Sequence, residues 1–151
     1  MDNVCTEPIV EREQLLRWLI FNLLTGNSDA HAKNLSLLFH SDGKIELAPF
    51  YDLLCTVSYA NIDRQMAMSI GAVWDPGRIG PGQFDLLAGE CGLSPKWLRG
   101  FVLNMADKVS HVLDSELHML RMEPSLQQRV LPSILKQTRN VRNSFRQAAG
   151  L

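Results

Sequence analysis

Leu15-Leu16-Arg17-Trp18-Leu19-Ile20-Phe21-Asn22-Leu23-Leu24-Thr25-Gly26-Asn27-Ser28-Asp29-Ala30-His31-Ala32-Lys33-Asn34 decides how the chain is read. Its first half leaves almost no polar face, and a helix that is apolar nearly all round belongs at the centre of a core. Acids at Glu11 and Glu13 suit the first turn of a helix running from Glu11 to Thr25, and Gly26 suits its C-cap. The second half is an octet, Asn27–Asn34, that packs Asp29, His31, Lys33 and Asn34 behind Asn27. A rigid buried helix that empties into a polar loop is sound architecture for a catalytic site.

Beyond the octet, Leu35–Phe39 reads as a short strand, Ser41–Lys44 as a turn and Ile45–Ala48 as the returning strand. Asp42-Gly43 between two apolar runs is a strong hairpin signal. A tight hairpin brings its ends together, so Tyr51-Asp52 is expected beside Asn34. Residues 53–83 read mostly as a long connection, with Met66–Gly71 open to a strand or a loop. Glycine and proline punctuate Trp74–Gly77 and Gly80–Gly82. Helices are expected over Phe84–Cys91, from Pro95 (behind a Ser94 N-cap) to about Leu120, and from about Pro132 to Ala148. The pattern is mainly α, with one small hairpin at the functional end.

Composition narrows the class. With 151 residues, 46% of them hydrophobic and 21% charged, the chain suits one compact domain rather than a disordered or fibrous protein. No apolar run is long enough to span a bilayer, and acids occupy the place of a signal peptide's basic region. Cys5, Cys55 and Cys91 are widely spaced and odd in number, which fits free thiols in a reducing cytoplasm. Charge is uneven: residues 1–120 carry 9 basic and 15 acidic side chains, residues 121–151 six basic and one acidic. Arg139, Arg142 and Arg146 recur at helical spacing. They form either a solvated helix face or a contact for DNA phosphates or an acidic partner, and no motif for base-specific DNA reading accompanies them.

The octet's chemistry fits phosphoryl transfer, which demands positioning and charge neutralisation more than covalent chemistry. Asp29 is the candidate base for the attacking hydroxyl. Asn34 and Asp52 offer the hard oxygen ligands that magnesium takes, and His31 and Lys33 can cover the transferring phosphate. Asp29-x4-Asn34 equals the D-x-x-x-x-N spacing of kinase catalytic loops, and Asp52 stands where D-F-G has its metal-binding acid, here followed by Leu53-Leu54. The simpler alternative is that Asp29 and Asn34 only bond local loop backbone. Zinc is not expected at His31 or His40, because no zinc-ligand spacing or nearby cysteine is present.

Asn27-x-Asp29-x-His31-x-Lys33-Asn34, with Ala48-Pro49-Phe50-Tyr51-Asp52-Leu53 behind it, resembles the C-terminal part of HipA-type serine/threonine kinases, the toxins of toxin–antitoxin systems. Met66–Gly71 and the helical remainder are similar to that family too, and the likeness covers about residues 10–120. The resemblance implies the helical C-lobe of a kinase-like fold, with the hairpin beside the catalytic loop. It implies ATP and Mg2+ as cofactors, Asp29 as catalytic base, Asn34 and Asp52 as magnesium ligands, and His31, Lys33 and Tyr51 as contributors to the nucleotide site. A DNA-binding antitoxin and protein substrates such as aminoacyl-tRNA synthetases are the partners it implies. One departure matters: the 28 residues ahead of Asp29 hold no lysine and no glycine before Gly26. The whole chain, 1–151, is therefore expected to be the C-lobe without its nucleotide lobe, and inactive alone. The alternative function is a non-catalytic remnant that binds an antitoxin or DNA.

Overall fold

A computed structural model describes Met1, residues 3–115 and residues 123–150. Helix α1 runs Pro8–Thr25, strands β1 and β2 are Leu37–Phe39 and Ile45–Leu47, and helices α2, α3 and α4 span Pro81–Glu90, Pro95–Ser115 and Pro124–Ala149. The expected mainly helical chain with one small antiparallel sheet is what forms.

Helix α1 begins three residues before the expected Glu11, because Pro8 occupies its first turn, where a missing N–H costs nothing. Its second half is the hub. Trp18, Ile20, Leu23 and Leu24 are buried together with Ile70, Phe84, Leu98, Val102, Val141 and Phe145 from the segments around it. Phe84 of α2 meets Phe145 of α4 edge-on, with ring centroids 5.4 Å apart. The first half of α1 is less enclosed, and Ile9 is 77% exposed.

The hairpin pairs Leu37 with Leu47, Leu38 with Glu46 and Phe39 with Ile45. Both strands are shorter than expected, and a 3-10 turn over Ala32–Asn34 occupies the chain just ahead of β1. The outer edge of β2 is not left bare. Thr6 N–H donates to the Ile45 carbonyl, Ile45 N–H to the Thr6 hydroxyl, and Leu47 N–H to the buried Glu11 carboxylate on α1. The sheet is thereby fixed to the central helix.

The connection expected over residues 53–83 ends at residue 80, because Pro81 opens α2 ahead of the expected Phe84, and it holds 3-10 turns at Thr56–Ser58 and Pro76–Arg78. Met66–Gly71 is not a strand. Only an isolated bridge forms, Ile70 to Val73, around Gly71 and Ala72, which both have positive φ (53° and 60°). Ala72→Gly is expected to raise the unfolding free energy by about 0.5 kcal/mol in urea titrations, because relief of left-handed strain slightly exceeds the added freedom of the unfolded chain.

The largest correction concerns α4. Expected from Pro132, it starts at Pro124, capped by Glu123, whose carboxylate accepts from Leu126 N–H at 3.1 Å. Pro132 lies inside the helix on an exposed side, where the carbonyl deprived of its donor can turn to water. Helix α3 ends at Ser115 among the described residues, and its expected continuation to Leu120 falls on residues outside them. No helix among the described residues is long and apolar enough to cross a membrane.

Between α2 and α3, Arg99 grips both carboxylate oxygens of Asp85 and holds that carboxyl below the usual carboxylate range. A depressed carboxyl stabilises the fold above its unfolded pKa of about 4, and that contribution vanishes as pH falls through the folded value. Asp85→Asn is accordingly expected to lower the melting temperature slightly at neutral pH. At about pH 2 the variant and the wild type should melt together.

Candidate active site

The site is assembled where α1 ends. Gly26 takes the left-handed conformation (φ 72°), and its N–H returns to the Asn22 carbonyl. A Cβ there would sit 2.5 Å from a methyl of Val57, so backbone and space both require glycine. The chain then turns sharply from core into loop.

Asn22 is the polar interruption in the apolar helix, and it is 1% exposed. Its amide donates to the Trp18 carbonyl at 2.8 Å and its oxygen accepts from the Asn27 amide at 2.9 Å. Asn27, also buried, donates on to the Asp52 carbonyl at 3.0 Å, and its oxygen accepts the Asp29 N–H at 3.2 Å. One side chain therefore holds the backbone of Asp29 and of Asp52 at once.

A second tie runs parallel to it. The Thr56 hydroxyl donates to the Gly26 carbonyl at 3.2 Å and accepts the Ser28 N–H at 2.7 Å. The Ser28 hydroxyl lies 2.8 Å from the same oxygen and is the donor there, since the Thr56 proton is already committed to Gly26. Ala67 N–H caps the Ser28 carbonyl.

On this frame the expected residues stand as follows. The Asp29 side chain is 70% exposed, with one oxygen 3.9 Å from Nε2 of His31. Nδ1 of His31 is buried and has no hydrogen-bond partner among the described residues. Asn34 is buried, and its amide donates to the Asp52 carboxylate at 2.6 Å, so the two residues brought together by the hairpin are in direct contact. The Asn34 oxygen faces the His31 N–H at a long 3.4 Å. Asp52 is exposed and has φ 58°, a left-handed position that Asp tolerates better than most residues. Tyr51 is half exposed; its hydroxyl donates to the Lys33 carbonyl at 3.2 Å and lies 3.1 Å from the Ser36 hydroxyl. The Lys33 side chain is exposed. Asp29 and Asp52 thus project from one doubly tied frame, with Asn34 joined to the second.

The donor chemistry fits magnesium. Asp52 supplies a hard carboxylate oxygen, while Asn34 meets it through the amide nitrogen and turns its own oxygen to the His31 N–H; this ion typically takes only one or two ligands from protein, drawing the rest from phosphate and water. Among the described residues no group of three or more His, Cys, Asp or Glu side chains could hold a metal unaided. The cysteines stand apart from this chemistry: burial raises the Cys55 and Cys91 thiols above their ordinary pKa, and Cys5 is buried.

Helix α4 does not offer the uniform basic row that the sequence suggested. Arg146 is paired with Asp107 at 3.0 Å, and Arg129 lies over the Tyr59 ring. Arg142 is half-buried, with its Nε unpartnered among the described residues, and Arg139 is exposed.

The model of the HipA-like C-terminal domain family matches residues 1–113. The chain belongs to this family. The serine/threonine-protein kinase toxin HipA of Shewanella oneidensis is 33% identical over 116 residues, which is 77% of this chain and 27% of that protein. Y4mE of Sinorhizobium fredii is 34% identical over 110 residues, 73% of this chain and 26% of that one. The HipA fold is shared as well. A solved complex of Shewanella oneidensis HipA with HipB and operator DNA superposes with a TM-score of 0.84 at 26% identity, covering 99% of this chain and 36% of that chain. Helix α4, beyond the residues matched by the family model, is therefore part of the structural likeness. This HipA-like chain spans about a quarter of the length of the curated relatives it matches.

Sequence reasoning missed Thr56 and the Asn22–Asn27 chain. Asn22 had a signal, a lone amide inside an apolar helix. Thr56 had none, because its partners lie 28 and 30 residues away.

Proposed function

We propose that this chain is the base-and-metal half of an ATP- and magnesium-dependent serine/threonine kinase of the HipA type. The observation that carries the reading is the contact between Asn34 and Asp52, held on the same frame as an exposed Asp29. In this reading Asp29 accepts or orients the proton of the attacking protein hydroxyl; its exposure leaves room for a substrate side chain. Asn34 and Asp52 would hold magnesium, which would neutralise phosphate charge when bound. His31 and Lys33 direct donors toward the phosphates, and Tyr51 keeps the Lys33 backbone in place beside them.

The nucleotide-covering half comes from elsewhere in the protein or from a partner. Substrates are protein hydroxyls, with aminoacyl-tRNA synthetases the first to try. A DNA-binding antitoxin is the regulatory partner, as the Shewanella HipA complex with HipB and operator DNA suggests by likeness.

The test supplies the chain with the nucleotide lobe of a HipA relative and follows labelled phosphate from ATP. Magnesium-dependent transfer is expected, reduced about 100-fold or more by Asp29→Ala. The chain alone is expected to transfer poorly. Transfer by the pair that survives Asp29→Ala unchanged would remove Asp29 from the mechanism. A chain that binds antitoxin but never transfers, even with the lobe supplied, would make it an interaction module instead.

A further inference from the structure

The ties that hold the site are unequal. Asn27 belongs to the octet itself, whereas Thr56 sits four residues beyond Asp52 and reaches back to the end of α1. We infer that Thr56 is a positioning residue: its hydroxyl sets where the Asp29 loop lies relative to Asp52. The inference rests on the phosphoryl-transfer reading above.

Three observations carry it. The hydroxyl has one proton and two lone pairs, and all are used: the proton on the Gly26 carbonyl, the lone pairs on the Ser28 N–H and the Ser28 hydroxyl. Thr56 is 5% exposed and Ser28 8%, so water is not a ready substitute for either partner. The bonds grip the residues on either side of Asn27, directly ahead of Asp29, while the Thr56 backbone continues from the segment that carries Asp52. Val57 N–H adds to the same Gly26 carbonyl at 3.1 Å. The turn that presents Thr56 is itself held from outside. Helix α4 packs on Thr56–Ser58, and Arg129 of α4 lies 4.8 Å from the centre of the Tyr59 ring. The Thr56 side chain thus relays the position of the α4-backed segment to the Asp29 loop without touching substrate or metal.

The side-chain chemistry separates this role from simple packing. Thr56→Val keeps the shape and loses the hydroxyl, and Thr56→Ser keeps the hydroxyl and loses a methyl. Phe84→Leu loosens the core at the α2–α4 contact and serves as a stability control away from the loop.

Two measurements decide it, both below the melting temperature of every variant. In the chain alone, amide exchange at Ser28 and Asp29 is expected to speed up about tenfold or more in Thr56→Val, to return toward wild type in Thr56→Ser, and to stay near wild type in Phe84→Leu. With the nucleotide lobe supplied, Thr56→Val is expected to lower kcat about 10- to 100-fold with KM for ATP little changed, because a misplaced loop hurts the transfer step more than nucleotide binding. Thr56→Ser should recover most of that kcat. Wild-type exchange at Ser28 in Thr56→Val, or a kcat loss shared equally by Phe84→Leu, overturns the inference. If Thr56→Val is fully active while Asp29→Ala is inactive, Thr56 loses its role and the kinase reading stands. If Asp29→Ala is fully active, Asp29 leaves the mechanism, and if the wild-type pair never transfers, the kinase reading itself fails.

Discussion

Asp52→Asn is expected to abolish most magnesium-dependent transfer while leaving the melting temperature almost unchanged. The backbone explains the second half of that result. Asp52 has φ 58°, and asparagine accepts the left-handed region as readily as aspartate does. The Asn34 amide, now 2.6 Å from the carboxylate, can donate to the new amide oxygen just as well. What disappears is the negative charge on the proposed magnesium ligand. Removing one such electrostatic element from a transfer site typically costs about 100-fold or more in rate. Asp52→Ala is a poorer probe, since it adds about 1 kcal/mol of left-handed strain to the chemical loss. Steady-state transfer with the nucleotide lobe supplied, alongside thermal melts, separates the two effects. An Asp52→Asn chain that transfers at the wild-type rate would remove Asp52 from metal binding.

Gly71→Ala should be the most damaging single-methyl change outside the site. A Cβ at Gly71 would lie 2.4 Å from the Gln83 carbonyl oxygen and 2.7 Å from its Cα, both backbone atoms of α2 that cannot swing aside. Gly71 also has φ 53°, so strain adds to the clash. Left-handed strain of about 1–2 kcal/mol and overpacking of about 1–3 kcal/mol give an expected loss of about 3 kcal/mol. For a chain of this size that corresponds to roughly 6–12 °C in melting temperature. Gly82→Ala, where a Cβ meets nothing within 4 Å, is the matched control. A Gly71→Ala chain as stable as wild type would mean that α2 does not seat against the Ile70–Val73 turn as described.

What the sequence made legible was mostly short-range. The apolar run of α1, the glycine at its end and the Asp42-Gly43 turn each carry their physics within a few residues. The closeness of Asn34 and Asp52 followed from the hairpin alone, because two strands joined by a tight turn must bring their flanks together. Long-range partners were not legible. Nothing near Thr56 announces that its hydroxyl serves Gly26 and Ser28, and nothing near Gly71 announces the backbone of Gln83. Pro132 misled for a different reason. Proline marks helix starts when its missing N–H would be unused, but an exposed helix side also tolerates it, and only Glu123 and Pro124 reveal the earlier start. Arg139, Arg142 and Arg146 of α4 were legible as a row but not as individuals, since Asp107, the partner of Arg146, comes from another segment.

The Thr138 hydroxyl, 1% exposed, donates to the carbonyl of Leu24 at 3.1 Å, closing the end of α1 from which the site loop departs. These two residues are 114 positions apart, so at about 5–20 residues per second a ribosome needs roughly 6–23 s to deliver the second after the first. From the addition of Asp52 until Thr138 follows, the growing polypeptide carries every residue of Asn27–Asn34 and Asp52 but lacks the contact that completes their support. Order in the loop therefore arrives late in the life of each newly made molecule, and a nascent chain holds the parts of the site well before it holds their arrangement.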